Sequence, residues 1–384
     1  MRKVLFTLFV VCAFSCAREE SESLRTLEER LLEARVQVKY LDTLHKTGSG
    51  LYYMIQAKGS GEAVKKENHV YVHYSVLDFF NEGYLKSEGS SNNNNNNYYN
   101  YYDYYDYYGY NNYYNYYDYP NYYGYGSSSS TTEPKLLSSE ERVAKQMGAF
   151  SYTTHYGPVL WFAGANALME GIDEMILSMK EGDRRRIWLP SWLSSYGYSG
   201  SGNRYSVTTI HDVEIVRVVP DIEQFQIDTL ESYRDKYYPG IDSLSWGFYK
   251  KTLVAGSGDT LKTGNKVRIR FVGRLLDDFI FDLNIADTAK KYNIFSSSKT
   301  YDPYEGECME DEQVNVINPS TGESSPFCPG FSKAIFTMKH GEEAVVFFHS
   351  VFGYGAEEGI DNIQPFSPLV FYIRVERTNF DDNP

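Results

Sequence analysis

The chain has 384 residues and a formal net charge of -14 at pH 7. This length is enough for two or three domains of ordinary size. The acidic balance and the lack of a basic stripe argue against nucleic acid as a partner, because binding to phosphates requires clustered Lys and Arg side chains.

The first residues, 1–16, have the pattern of an export signal. Arg2 and Lys3 precede the apolar run Val4 to Phe14, which is too short to cross a bilayer as a helix. Cys16 follows the small residue Ser15, and this arrangement is similar to bacterial lipoprotein signals, in which cleavage leaves the cysteine as the lipidated first residue. The resemblance implies lipidation of Cys16, membrane attachment through that N-terminal lipid, and an outer-membrane lipoprotein of the cell envelope, either periplasmic or surface-exposed. An ordinary cleaved signal with an incidental cysteine is the alternative.

Two helical segments separate the rest of the chain into longer parts. Residues 17–48 form a predicted helix and spacer, because apolar residues recur at spacings of three and four from Glu19 to about His45. Residues 220–241 are predicted to be a second helical linker, with the helix from Asp221 to Tyr237. The segments 49–219 and 242–384 remain, and they repeat one another.

The repeat is a shared succession of features. Gly59-Ser60-Gly61 and Tyr74 in the first segment correspond to Gly256-Ser257-Gly258 and Phe271 in the second. A short helix beginning near a glycine, a strand, a Tyr-Gly loop and a last strand follow in both segments. This pattern predicts two homologous α+β domains, each an antiparallel sheet wrapped on a short helix.

The most informative stretch runs from Lys266 to Asn284. Its alternation places Val267, Ile269 and Phe271 on one face of a strand, and an acidic turn is followed by a second strand that carries Phe281-Asp282. A hairpin is therefore predicted, with a carboxylate directly after a large aromatic side chain.

This order of features resembles the FKBP-type peptidyl-prolyl cis-trans isomerases, and within them the tandem-domain lipoproteins of Bacteroidetes type. The resemblance implies two FKBP-like domains that act on proline-containing polypeptides among exported proteins. An X-Pro bond rotates over a barrier of ~18–20 kcal/mol without any bond being made or cut. A dry aromatic cup with one or two hydrogen-bond donors is therefore sufficient, and no cofactor is predicted.

The resemblance also implies residue roles in the second domain. Asp282, Tyr354 and Phe281 are the implied catalytic residues, and the implied substrate-binding residues are Phe271, Phe327, Cys328, Phe331, Ile363 and Phe371. The family commonly has a tyrosine in place of Phe271, so the usual hydroxyl partner of Asp282 is missing.

The first domain is predicted to be degenerate and weak or inactive. Its implied pocket residues are Tyr74, Leu168, Met169, Ile172 and Tyr196. Leu85-Lys86 stands where the Phe-Asp pair is expected, and His211 replaces the aromatic residue of the last strand. A lysine donates hydrogen bonds only, so Lys86 could not replace the carboxylate.

Two insertions are predicted. Residues 88–156 include an Asn run and a Tyr-rich repeat without apolar periodicity, which predicts a low-complexity and largely disordered segment. Residues 283–326 interrupt the second domain after Asp282 and are predicted to be a solvated, acidic loop.

Cysteine use leaves one alternative open. After removal of the signal and lipidation of Cys16, the remaining pair Cys308 and Cys328 suggests a disulfide in an oxidising compartment, and two separate buried thiols are the alternative. There is no CxxC motif and no His cluster, so no structural metal is predicted.

The alternative to an isomerase is a non-catalytic peptide-binding or adhesive surface lipoprotein with degenerate FKBP-like domains.

Overall fold

The computed structural model describes residues 23–40, 43–78, 137–164, 168–194, 208–319, 321–357, 360 and 362–376. Cys16, Leu85-Lys86, Tyr196 and the Asn- and Tyr-rich repeats lie outside the described residues. Within those described ranges, no helix is both long and apolar enough to pass through a bilayer.

The first half of the chain forms a seven-stranded antiparallel sheet. Strands run in the order β1-β2-β6-β7-β3, and both β4 and β5 pair with the far edge of β3. The strands are β1 (Leu44–Lys46), β2 (Tyr52–Ala57), β3 (His69–Asp78), β4 (Leu137–Ser138), β5 (Val159–Phe162), β6 (Arg184–Leu189) and β7 (Thr209–Val219). The helices are α1 (Leu24–Tyr40), α2 (Glu141–Gln146) and α3 (Glu170–Ile176).

The second half forms a nine-stranded antiparallel sheet, and a two-stranded pair stands apart from it. The order is β15-β14-β13-β11-β18-β17-β9-β8, with β12 also paired to β11. The helices are α4 (Ile222–Tyr237), α5 (Ala286–Lys291) and α6 (Pro329–Phe336). The strands are β8 (Ser243–Ser245), β9 (Phe248–Val254), β10 (Ser257–Thr260), β11 (Lys266–Leu275), β12 (Ile280–Leu283), β13 (Tyr304–Cys308), β14 (Val314–Ile317), β15 (Ser324–Pro326), β16 (Lys339–His340), β17 (Glu343–Phe348) and β18 (Leu369–Val375).

The two sheets repeat the same strand order, since β2-β6-β7-β3 in the first corresponds to β9-β17-β18-β11 in the second. In each half a short helix, α3 or α6, packs into the main core on one face of the sheet. The helix that precedes each sheet covers the opposite face. Leu32 of α1 packs in a cluster with Trp188, and Leu230 of α4 packs in a cluster with Phe347.

The repetition extends to single glycines. A Cβ atom added to Gly171 of α3 would lie 2.4 Å from a methyl group of Leu189, and one added to Gly330 of α6 would lie 2.6 Å from the Phe348 ring. Both distances are shorter than a van der Waals contact. The glycine therefore allows each helix to pack this closely against its strand, because any side chain at that position would clash.

Hydrogen bonds correct the position predicted for the missing carboxylate of the first half. The Phe271 N–H donates to the Asn284 side chain at 2.7 Å, and the Tyr74 N–H donates to the Ser139 hydroxyl at 2.9 Å. Leu137 pairs with Val76 as Asp282 pairs with Gly273. Leu137, rather than Lys86, therefore takes the place of Asp282. The low-complexity sequence separates β3 from β4 along the chain, so the counterpart of Asp282 comes after that sequence instead of before it.

Two parts of the predicted insertions belong to the folded core. Residues 137–156, predicted to be disordered, include β4, α2 and a loop that contacts the second half. Residues 283–326, predicted to be a solvated loop, contribute β13, β14 and β15 to the second sheet. The alternation of buried Tyr304, Cys308, Val314 and Val316 explains this second result, because these side chains join the main core.

Of the two alternatives for the cysteines, the structure has separate thiols, since Cys308 and Cys328 are both free. Cys308 pairs with Val314, whose carbonyl oxygen accepts the Phe327 N–H on its other side. A strand therefore lies between the two cysteines, and two strand spacings amount to ~9–10 Å. A disulfide requires Cα atoms within ~7 Å, so the bond could not form without movement of the backbone.

We expect both thiols to resist alkylation in the folded protein. Burial raises the pKa of each thiol to about 11, and the charge of Glu307 adds to this effect at Cys308. Only about one thiol in a thousand would be ionised at pH 8, and the thiolate is the reactive form. Peptide mass spectrometry after iodoacetamide treatment should find both cysteines unmodified in the native protein and alkylated after denaturation without reductant. A peptide pair linked through Cys308 and Cys328 would contradict the free thiols.

Candidate active site

A cluster of aromatic rings lies between α6 and the second sheet. Phe271 is 1% exposed at its centre, and its ring makes edge contacts with Tyr304, Phe327 and Phe331 at centroid distances of 5.4, 5.5 and 5.6 Å. Phe371 meets Phe331 edge-on at 5.0 Å. These distances fit favourable edge-to-face geometry, so the rings form a rigid, apolar base.

Phe281 lies beside this base because of a local irregularity in β12. The pairing of β11 with β12 shifts register between Gly273 and Arg274, so Phe281 has no paired residue on β11. Its ring lies edge-on to Phe371 at 5.6 Å and remains partly exposed. A Cβ atom on Gly273 would lie 2.6 Å from that ring. A bulge and a glycine together allow the aromatic ring to lie across the strand.

Asp282 has a partner that the sequence did not indicate. Its Oδ1 atom lies 2.6 Å from Lys299 Nζ and also accepts the Leu283 N–H at 2.8 Å. Both side chains of the ion pair are partly exposed, at 42% for Asp282 and 31% for Lys299. Lys299 comes from the segment predicted to be an insertion, and it supplies the donor that Phe271 lacks.

Tyr354 packs against the same cluster and adds a hydroxyl group to the site. Burial raises the pKa of this hydroxyl to about 12, and the nearby Cys328 and Asp282 add to the effect. The group is therefore protonated at neutral pH and able to donate a hydrogen bond. No group in the described part of the chain accepts that hydrogen bond, which leaves the donor available to a ligand.

The remaining predicted residues of the second half join the same cluster. Ile363 is 4% exposed, Phe371 is 3% exposed, and Phe327 and Cys328 are partly buried against the core. The structure thus brings together all nine residues implied by the resemblance, which are Phe271, Phe281, Asp282, Phe327, Cys328, Phe331, Tyr354, Ile363 and Phe371.

Three residues of this site were missed by sequence reasoning. Tyr304 stacks 6.0 Å from Phe327, and burial followed by the charge of Asp282 raises its pKa to about 12. Lys299 pairs with Asp282, and the side chain of the fully buried Asn284 accepts the Phe271 N–H and donates to the Ile269 carbonyl. The short alternating run Tyr304 to Cys308 was the available signal for Tyr304, whereas nothing local indicated Lys299.

In the equivalent region of the first half, Leu137 stands in the position of Asp282. Tyr74 lies 5.6 Å from Trp161, and Ile172 is buried in the core against which Leu168 and Met169 pack. His211 is 1% exposed, and burial lowers its pKa to about 4, so the ring is neutral. Within the described part of the chain, no group of three His, Cys, Asp or Glu side chains could hold a metal ion.

One part of the chain matches a known protein family. Residues 304–376 match the model of the FKBP-type peptidyl-prolyl cis-trans isomerase family. The match confirms the resemblance for this part, which holds Tyr304, Phe331 and Tyr354 but neither Phe281 nor Asp282. No curated protein matches the chain.

Several solved structures are similar to the chain. The three FKBP domains of wheat FKBP73 are 14% identical, with 86% of this chain and 94% of that chain covered and a TM-score of 0.26. A peptidyl-prolyl cis-trans isomerase from Pseudomonas syringae pv. tomato is 25% identical, and the alignment covers 40% of this chain and 93% of that chain with a TM-score of 0.27. FkpA from Escherichia coli is 20% identical, and the alignment covers 41% of this chain and 62% of that chain with a TM-score of 0.28.

Proposed function

We propose that the second half is a peptidyl-prolyl cis-trans isomerase whose site is the aromatic cluster between α6 and the sheet. One observation carries this proposal. The partly exposed aromatic cup lies beside the protonated Tyr354 hydroxyl, and no described group accepts a hydrogen bond from that hydroxyl. Residues 304–376, which contribute most of the cup, match the family of these enzymes.

The geometry suits the chemistry of the reaction. The planar amide of an X-Pro bond loses resonance as it twists, and the twisted form is less polar than the planar form. A dry site lined by Phe281, Phe331 and Phe371 therefore favours the twisted form. Tyr354 would hold a neighbouring carbonyl oxygen of the peptide, and only interactions that strengthen toward the twisted state raise the rate.

The proposed substrates are proline-containing segments of exported polypeptides. Support comes from the N-terminal sequence, where a short apolar run ends at Cys16, in the manner of a lipidated export signal. The proposal therefore includes a lipid anchor at Cys16, a place in the cell envelope, and a role in the folding of proteins there. A cell fractionation that finds the chain in the cytosol without lipid would contradict this part.

A second function is supported by the Asp282–Lys299 ion pair. The bond of 2.6 Å occupies the carboxylate to which the family resemblance assigns a catalytic role. A cup with this carboxylate engaged could bind proline segments without accelerating their isomerisation. A rate measurement on the full chain separates the two functions, because binding alone leaves the cis-trans exchange rate unchanged.

We expect Tyr354→Phe to lower kcat/KM about three- to tenfold, which corresponds to the loss of one hydrogen bond worth ~0.5–1.5 kcal/mol. The fold should be retained because the hydroxyl bonds to no described group. The assay is NMR exchange between the cis and trans forms of a peptide with one Ala-Pro bond. Tyr372→Phe is the matched control, since that hydroxyl bonds to Glu343 away from the cup. A wild-type rate in Tyr354→Phe would remove this residue from the mechanism.

The pH profile provides an independent check on Tyr354. An ordinary tyrosine has a pKa near 10 and loses its proton as the pH rises through that value. The pKa of Tyr354 is about 12, so its hydroxyl remains a donor well above pH 10. We therefore expect kcat/KM to stay level from pH 7 to pH 10. A decline centred near pH 10 in the wild type, absent in Tyr354→Phe, would contradict the raised pKa.

A further inference from the structure

A segment of the first half lies against two loops of the second half that carry site residues. The segment is residues 153–160, here named the brace. We propose that the brace is a positioning element that fixes the two walls of the proline site, so that substrate affinity in the second half depends on the first half. This inference rests on the proposed function of the site.

The first wall is the loop 362–366, which contains Ile363. The side-chain amide of Asn362 accepts the His155 N–H at 3.0 Å and donates to the Thr153 carbonyl at 3.2 Å. On the other side of Ile363, Gln364 forms the same kind of bridge to the brace. Each amide thus satisfies one donor and one acceptor of the brace backbone.

The Gln364 bridge is the more buried of these two contacts with the brace. Its Oε1 atom accepts the Leu160 N–H at 2.6 Å, and its Nε2 atom donates to the Pro158 carbonyl at 3.0 Å. Gln364 is 7% exposed, and loss of its amide would remove these partners from the partly buried Leu160 N–H and Pro158 carbonyl. Phe366 extends the contact through an edge-on ring contact with His69 at 5.1 Å.

The second wall is the hairpin between β11 and β12. His155 Nε2 lies 2.7 Å from Asp277 Oδ2 in the turn, and the His155 ring lies 5.0 Å from the Phe279 ring. Asp277 in turn accepts the Phe279 N–H at 3.1 Å. Phe281 and Asp282 follow within the same hairpin, so His155 anchors the turn that carries them.

One element therefore holds both walls of the cup. Loops of this kind open more readily than the strands that carry them. When the competent arrangement of a loop is only fractionally populated, the apparent affinity falls by the same fraction. The first half, which has Leu137 where the second has Asp282, would contribute to activity through this contact rather than through a site of its own.

The test uses the full chain with Gln364→Met, which keeps the length of the side chain and removes both hydrogen bonds. We expect KM for the Ala-Pro peptide to rise about three- to tenfold, because the loop would be in its binding-competent arrangement for only roughly a third to a tenth of the time. The value of kcat should stay within about twofold of wild type. Hydrogen exchange of residues 362–366 should become faster. Gln364→Glu keeps the acceptor for Leu160 and should give an intermediate KM.

The matched control is Gln56→Met, an amide that bonds to Arg184 and Asp212 within the first half. It should change neither KM nor the exchange of the loop. Unchanged KM and exchange in Gln364→Met, or a fall in kcat at constant KM, would overturn the brace. If the wild type shows no isomerisation, the proposed function fails. Fluorescence titration of the same peptide then decides the brace, since equal affinities in wild type and Gln364→Met would refute it.

Discussion

Phe281→Ala is expected to lower kcat/KM by about 10- to 100-fold in the full chain. The Phe281 ring is the partly exposed wall of the cup, and contact with a substrate proline would complete its burial. Removal of an apolar contact of this size costs ~1.5–3 kcal/mol in binding to the twisted peptide. The bulge that places the ring should persist, because it belongs to the backbone pairing.

The measurement is the NMR exchange assay, combined with urea unfolding to separate activity from stability. The stability cost should be modest, at about 1–2 kcal/mol, because the ring is only partly buried before substrate binds. Phe295→Ala is the control, since this ring is 45% exposed and stacks on Tyr301 outside the cup. Equal rates for wild type and Phe281→Ala would show that the proline binds elsewhere.

Phe331→Ala is expected to have the largest effect on stability, at about 3–5 kcal/mol for the second half. Phe331 is fully buried and contacts Phe327, Phe371 and Phe271 at centroid distances of 4.0, 5.0 and 5.6 Å. Its removal leaves a cavity at the floor of the cup, which α6 cannot fill because Gly330 already rests against the Phe348 ring. Isomerase activity should be lost together with this floor.

The unfolding probe must distinguish the two halves. Trp161 and Trp188 are buried in the first half, whereas Trp246 of the second half is 59% exposed. Tryptophan fluorescence therefore reports mainly on the first half, and hydrogen exchange of α6 is the suitable measurement for the second. Ile176→Ala, in the corresponding helix α3, should weaken the first half instead. A change below about 1 kcal/mol in Phe331→Ala would mean that the floor collapses around the cavity.

The sequence by itself determined the elements whose signal is local. The alternation of Val267, Ile269 and Phe271 predicted β11 and its buried face, and all three side chains are at most 1% exposed. Three-four spacing predicted a helix from Glu19 to about His45, and α1 spans Leu24–Tyr40 within that range. Such periodicities are fixed by backbone geometry within one element, so they can be read without knowledge of its neighbours.

Only the tertiary structure decided which residues meet across long separations in the chain. Leu137 pairs with Val76 of β3 in the position that Asp282 has in the second half, because backbone hydrogen bonds set this register. Lys299 reaches Asp282, and Gln364 reaches the backbone of Pro158, through single side-chain contacts that carry no periodic signal. Ion pairs and amide bridges depend on distances of about 3 Å that chain topology creates, and local composition does not encode them.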